Sequence, residues 1–244
     1  MVLDDATSII NHEYVFMNEH SPRSAIAPRT PGAHRPVAGG RAIRADALRG
    51  RLLAAAEVLI AERQVAAITA RDIAREAGVS DGVLYNHFED KHDLVLAALL
   101  ARFARLVQGF EVDVAGVRQA DPQLPIEAGL DRLVAAAFGL HSAILPMLAH
   151  VLSEPALFHR FMVAVHHPPF GGQIFLDPFE DYVGAERALG ATGDIDPAAA
   201  ADLLTGAVLM LAFMDLMSAR EAANREARLR KVVRTLLAGL LPRT

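Results

Sequence analysis

Residues 69–91 read TARDIAREAGVSDGVLYNHFEDK, and this stretch decides the fold. Thr69 can cap a helix, because its hydroxyl reaches backbone N–H groups that have no partner inside the first turn. Ile73, Ala74 and Ala77 then fall on one helical face. Gly78 stops that helix where the chain needs a left-handed residue, which glycine adopts without a Cβ clash. Val79 is an apolar plug in the turn. Ser80 is positioned to cap a second helix through Val83, Leu84 and Phe88. Asp90 can cap a third, with Asp93 completing a capping box of the acidic kind.

Two short helices, a tight glycine turn and a small residue at the crossing make a helix-turn-helix. Ala74 lets the second helix approach closely, while Leu84 and Phe88 return to a shared core. The outward residues of the second helix are Asp81, Gly82, Tyr85, Asn86 and His87. Such a helix is built to enter a major groove with its N-terminal end toward base edges. Upstream, Leu48, Leu52, Leu53, Ala56, Leu59 and Ile60 form an apolar stripe over Asp46–Gln64 that braces the pair.

The pattern T-x-x-D-I-A-x-x-A-G-V-S-x-G-x-L-Y-x-H-F-x-x-K-x-x-L, from Thr69 to Leu94, resembles the DNA-binding signature of the TetR family of transcriptional regulators. It covers about a tenth of the chain and is specific because many positions agree at fixed spacing. The resemblance implies that Thr69, Tyr85, His87 and Lys91 contact the DNA backbone. Lys91 is also a cation in a helix's first turn, where it opposes the dipole, and a bound phosphate would explain it. Gly82 lets the main chain approach the duplex. Tyr85 presents a hydroxyl on a rigid ring, Asn86 can pair with adenine, and Asp81 can accept from cytosine N4 or compensate the helix dipole. Ser80 belongs to the same front.

The rest of the chain reads as helical, giving an all-α protein: a three-helix helix-turn-helix head joined to a helical effector-binding and dimerisation body. The expected divisions are a disordered arm at 1–40, the DNA-binding domain at 41–93 and the body at 94–244. The arm has four prolines (22, 28, 31, 36) and Gly39-Gly40, and no periodicity survives there. Five arginines (23, 29, 35, 41, 44) and no acid lie between Ser21 and Ala45, whereas from Leu106 onward 16 acids face 11 bases. With a net charge of −5, a basic arm on an acidic body suits site-specific DNA contact more than bulk coating. A loose, solvated tail is the plainer reading of the arm.

A long helix from Asp90 would join head to body as a lever. Amphipathic segments follow at Ile126–His141 and from Pro155 to about His166, with Pro146 expected to kink the chain or separate the first from Met147–Leu152, and Pro178 to interrupt Phe175–Leu189. Pro197 opens a helix that is apolar nearly all round, and Glu221–Leu241 carries a stripe of Leu229, Val232, Val233, Leu236, Leu237 and Leu240. These last two helices are suited to a four-helix homodimer interface, which is how the resembled family pairs; completing the monomer core is the alternative.

Large, adaptable apolar residues in the body point to a small-molecule pocket. Phe138, His141 and Met147 are candidates on one segment, Phe158 and Met162 on the next, and Met210, Phe213 and Met214 on the apolar helix. Ordinary core packing is the competing account of each.

Several classes are disfavoured. The histidines at 141, 150, 159, 166 and 167 lack the spacing of a zinc site, and no metal or cofactor is implied. There is no G-x-S-x-G, P-loop or dinucleotide fingerprint, so no catalytic residue is assigned and an enzyme is not expected. The chain has no cysteine, which fits a reducing cytoplasm. No signal peptide is evident, and the most apolar window, Leu203–Met214, closes at Asp215 short of a bilayer span. The sequence therefore points to a cytoplasmic regulator, a repressor released from a palindromic operator on double-stranded DNA by an apolar or amphipathic effector. A constitutive dimeric DNA-binding protein and, further off, a helical enzyme are the alternatives.

Overall fold

The computed structural model describes residues 38–119, 124–168, 170–171, 174–218 and 224–240. The arm expected at 1–40 lies outside them except for Ala38–Gly40, which are helical rather than loose. Among the described residues every regular element is a helix. The chain divides into two units, the first ending at Ala101 and the second beginning at Arg102.

The head holds α1 (Ala38–Glu62), a single 3-10 turn at Val65–Ala67, α2 (Ala70–Glu76) and α3 (Asp81–Leu84). Leu52, Ala56, Leu59 and Ile60 of α1 meet Ile73, Ala74 and Leu84 in a core that excludes water almost completely. Burying each of the leucine and isoleucine side chains contributes about 1.5–3 kcal/mol before entropy is counted. The helix α4 (Lys91–Gln119) begins in the head unit and continues into the body unit.

The body contains α5 (Ile126–Val151), α6 (Pro155–His166), α7 (Asp177–Ala188), α8 (Pro197–Ser218) and α9 (Arg225–Leu240). The central helix is α5, packed against α6, α7, α8 and α9. Pro146 does not break it. A proline removes one helical hydrogen bond, but Ile144, Met147 and Val151 on either side are buried and hold the helix continuous. Nor does Pro178 interrupt α7, since it lies in the first turn, where a missing N–H costs nothing. Asp196 caps α8 by accepting from the Ala198 N–H at 3.0 Å.

Two points of close packing fix the body. Gly129 of α5 faces Tyr182 of α7 so tightly that a Cβ at residue 129 would lie 1.8 Å from the tyrosine oxygen. Phe103 of α4 makes edge contacts with Phe161 and Phe170, at 5.8 and 5.1 Å between ring centres.

Contrary to the sequence expectation, two helices, Ile126–Ala149 and Pro197–Met217, are long and apolar enough to cross a membrane by length and composition. The cause is that charged residues are sparse along α5 and absent from α8 except at Asp202 and Asp215. The packing of α5 on four other body helices accounts for its apolarity. For α8, only 28% of the apolar window is buried.

Candidate nucleic-acid interface

The turn between α2 and α3 is built by local chemistry. Thr69 and Asp72 form a full capping box: the Asp72 N–H donates to Thr69 Oγ1 at 3.1 Å, and the Thr69 N–H donates to Asp72 Oδ2 at 3.0 Å. The Thr69 hydroxyl also donates to Asp72 Oδ2 at 2.7 Å, so the proton expected for a phosphate is committed within the box. These bonds, followed by the Arg75 charge, hold the Asp72 carboxyl below its ordinary pKa.

At the other end of α2, the Val79 N–H donates to the Ala74 carbonyl (2.9 Å) and the Gly78 N–H to the Arg75 carbonyl (3.1 Å). That pair of bonds is a Schellman motif, and Gly78 supplies its left-handed residue at φ +65°. Arg51 of α1, which sequence reasoning missed, secures the turn by donating from Nη2 to the carbonyls of Ala77 (2.5 Å) and Gly78 (3.3 Å).

The segment beyond the turn differs from the sequence expectation in two ways. Ser80 occupies the N-cap position, but its side chain makes no capping bond. The helix proper ends at Leu84 rather than reaching Phe88, and the chain continues in tight turns, with Asn86 donating to the Val83 carbonyl (3.2 Å) and His87 to the Leu84 carbonyl (3.0 Å). Leu84 and Phe88 nevertheless share the buried face, because the Phe88 N–H donates to the Leu84 carbonyl (3.0 Å) and keeps the four-residue spacing of one helical turn between them.

Ser80, Asp81, Gly82, Tyr85 and Asn86 are all exposed, and His87 is half-buried. Tyr85 is 59% exposed. That is unusual for a large ring unless it has a partner to meet. A Cβ added at Gly82 would meet nothing within 4 Å, so nothing inside the protein requires glycine there.

Two charged residues are placed otherwise than expected. Asp81 Oδ2 accepts from Arg71 Nε at 3.1 Å across the turn, a partner that neither the cytosine nor the helix-dipole reading foresaw. Lys91 donates from Nζ to the Val65 carbonyl at 3.3 Å, which engages one of its three N–H groups in the first turn of α4 and leaves two. Asp90 caps α4 as expected, accepting from the Asp93 N–H at 2.8 Å, while Asp93 reaches back to the Glu89 N–H at 3.4 Å.

Residues 52–98 match the family model described as bacterial regulatory proteins, tetR family. The head is a TetR-family helix-turn-helix domain. The transcriptional activator FasR of Mycolicibacterium smegmatis is 40% identical to the chain over 92 residues, which span 36% of this chain and 39% of FasR. A crystal structure described as a putative TetR-family regulator from Mesorhizobium loti superposes with a TM-score of 0.68 at 19% identity, covering 82% of this chain and 99% of that one. The regulator FadR of Bacillus subtilis, solved with stearoyl-CoA, gives 0.52 at 17% identity, covering 78% and 97%. The TetR-type architecture thus extends through the body as a fold.

The residues expected to line an effector pocket do not form one group. Phe138, His141 and Met147 are buried on α5, and Phe158 and Met162 are half-buried on α6. Met210, Phe213 and Met214 face outward on α8. A helix apolar all round gives no periodicity from which to tell inside from outside. His141 packs against Phe175 with ring centres 5.1 Å apart and shares a 2.7 Å hydrogen bond with the Ala137 carbonyl. Burial lowers its pKa more than that bond raises it. Arg225 of α9 stacks over Phe138 at 5.0 Å and is bridged to Asp215 at 3.2 Å.

The body also has an open cleft of about 310 Å³ elsewhere, with Phe110, Val114, Ile174 and Pro178 as its apolar lining and Glu111, Asp177 and Asp181 around it. An open groove of about 690 Å³ lies between α8 and α9, lined by Leu203, Leu204, Leu211, Val232 and Leu236 among others.

Proposed function

We propose that this chain is a dimeric, DNA-binding transcriptional regulator whose two heads read successive major grooves of a palindromic operator. The observation that carries the reading is the front of α3: a TetR-type head in which Gly82, Tyr85 and Asn86 are exposed while their neighbours Leu84 and Phe88 are buried. Tyr85 and His87 contact phosphates, Asn86 reaches base edges, and Lys91 contributes a backbone contact with the two ammonium protons that its bond to Val65 leaves. The regulator acts in the cytoplasm, where the DNA is.

Dimerisation runs through α8 and α9. The exposed residues Leu203, Met210, Phe213, Met214 and Met217 lie along α8, beside the apolar groove with α9. A contiguous apolar surface of that kind is what a homodimer interface covers. A dimer also places two reading segments on one duplex, which the spacing of half-sites requires.

A small apolar or amphipathic effector binds the body and favours a form with lower operator affinity, making the protein a repressor that the effector releases. The likeness in fold to a regulator solved with stearoyl-CoA and the open 310 Å³ cleft of the body, large enough for a small molecule, support this. Gel-shift titrations over a salt series, on a selected duplex and a scrambled one, test the DNA-binding part. Binding equal on both duplexes at every salt concentration rejects it. A regulator returns its effector unchanged, and turnover of a bound compound would favour an enzyme instead.

A further inference from the structure

The ion pair between Arg71 and Asp81 bridges α2 and the start of α3, ten residues apart in sequence. Both side chains are open to solvent, 81% and 51% exposed. An exposed pair of this kind contributes little to stability, so folding does not account for its position at the edge of the reading segment. Two other head arginines have their charge engaged within the head: Arg51 on the carbonyls of the turn, and Arg75, itself exposed, on the capping-box aspartate at 2.6 Å.

We propose that Arg71 and Asp81 form a single base-reading unit, in which Asp81 positions the Arg71 guanidinium and Arg71 reads guanine in the major groove. This rests on the DNA-binding function proposed above. The chemistry is directional. Asp81 takes only the Nε–H, and among the described residues Arg71 has no other polar partner. The four N–H groups on Nη1 and Nη2 remain as a planar fork, which matches the O6 and N7 acceptors of guanine. Asp81 restricts the swing of a long side chain, so less rotamer freedom is lost on binding. Pairing also removes a difficulty, because an unpartnered carboxylate at this front would be repelled by phosphates.

The test uses the full chain. A randomised duplex library is selected with the wild-type protein. The selected duplex and its single base-pair replacements are then titrated by fluorescence anisotropy against wild type, Arg71→Ala, Arg71→Lys and Asp81→Asn. Wild type should discriminate against replacement of one guanine-bearing pair in each half-site by about 5- to 150-fold. Arg71→Ala should erase that preference and leave the others. Arg71→Lys keeps the charge without the fork, and should lose the same preference while retaining most affinity for scrambled DNA. Asp81→Asn should weaken the preference and bind scrambled duplex more tightly, since a negative charge leaves the interface. If Arg71→Ala instead weakens every duplex by one common factor and reduces the salt slope by about one, Arg71 is a phosphate contact and the proposal is overturned. Unchanged discrimination in all three variants overturns it equally. Failure of the wild type to select any sequence would refute the DNA-binding function itself, a separate result.

Discussion

Replacing Gly82 with alanine should stabilise the free protein and weaken the complex, and few substitutions separate the two so cleanly. Gly82 is helical and exposed, and an added Cβ finds open space. Alanine is favoured over glycine inside a helix by about 0.5–1 kcal/mol, and the low end applies in a helix of four residues. At about 2–4 °C per kcal/mol for a chain of this size, the melting temperature should rise by roughly 1–2 °C. In the proposed complex, the space that is empty in the free protein is where the duplex comes against the main chain. A methyl group forced into a packed contact costs about 1–3 kcal/mol, and a dimer carries two. The smallest expected effect is therefore about 2 kcal/mol, roughly a 30-fold loss at 1.4 kcal/mol per tenfold. Anisotropy titration on a selected duplex, with thermal melting of the same samples, reads both quantities. A raised melting temperature with unchanged affinity would show that the main chain at residue 82 does not approach DNA. A lowered melting temperature would show that the site is not open.

Three further outcomes follow from the body. Gly129→Ala should lower stability by about 1–3 kcal/mol through overpacking against the Tyr182 ring, whose hydroxyl burial raises to a pKa of about 12; a melting curve like wild type would refute the close approach. Met210→Glu should convert dimer to monomer in sedimentation and sharply reduce operator affinity while far-UV circular dichroism stays the same, because Met210 is 57% exposed and removes no core contact; an unchanged dimer would place the interface elsewhere. His141 has a folded-state pKa below its unfolded one, so below about pH 6.5 the unfolded chain binds more protons and stability falls as the pH drops. In denaturant melts between pH 7.5 and 5, His141→Leu should lose part of that dependence, and an identical slope in both proteins would contradict the burial.

The sequence alone determined the head's fold, because the forces that shape it are local. Thr69 and Asp72 are three residues apart, Gly78 closes a helix that its own neighbours define, and the apolar spacing of α1 and α2 reports directly which face is inward. It also marked Gly82, Tyr85 and Asn86 as outward, since Leu84 and Phe88 claim the interior. The tertiary structure alone decided which charges are spent. Arg51 reaches carbonyls 26 and 27 residues away, Lys91 one at 26, and Arg71 takes Asp81 across the turn; no periodicity encodes such pairings. The same holds for α8, whose apolar residues surround the helix and give no preferred side. Only packing against α5, α7 and α9 separates the buried Leu204, Val208 and Ala212 from the exposed Met210, Phe213 and Met214. A helix's own pattern specifies a face only when polar and apolar residues alternate around it, and where they do not, the neighbours specify it.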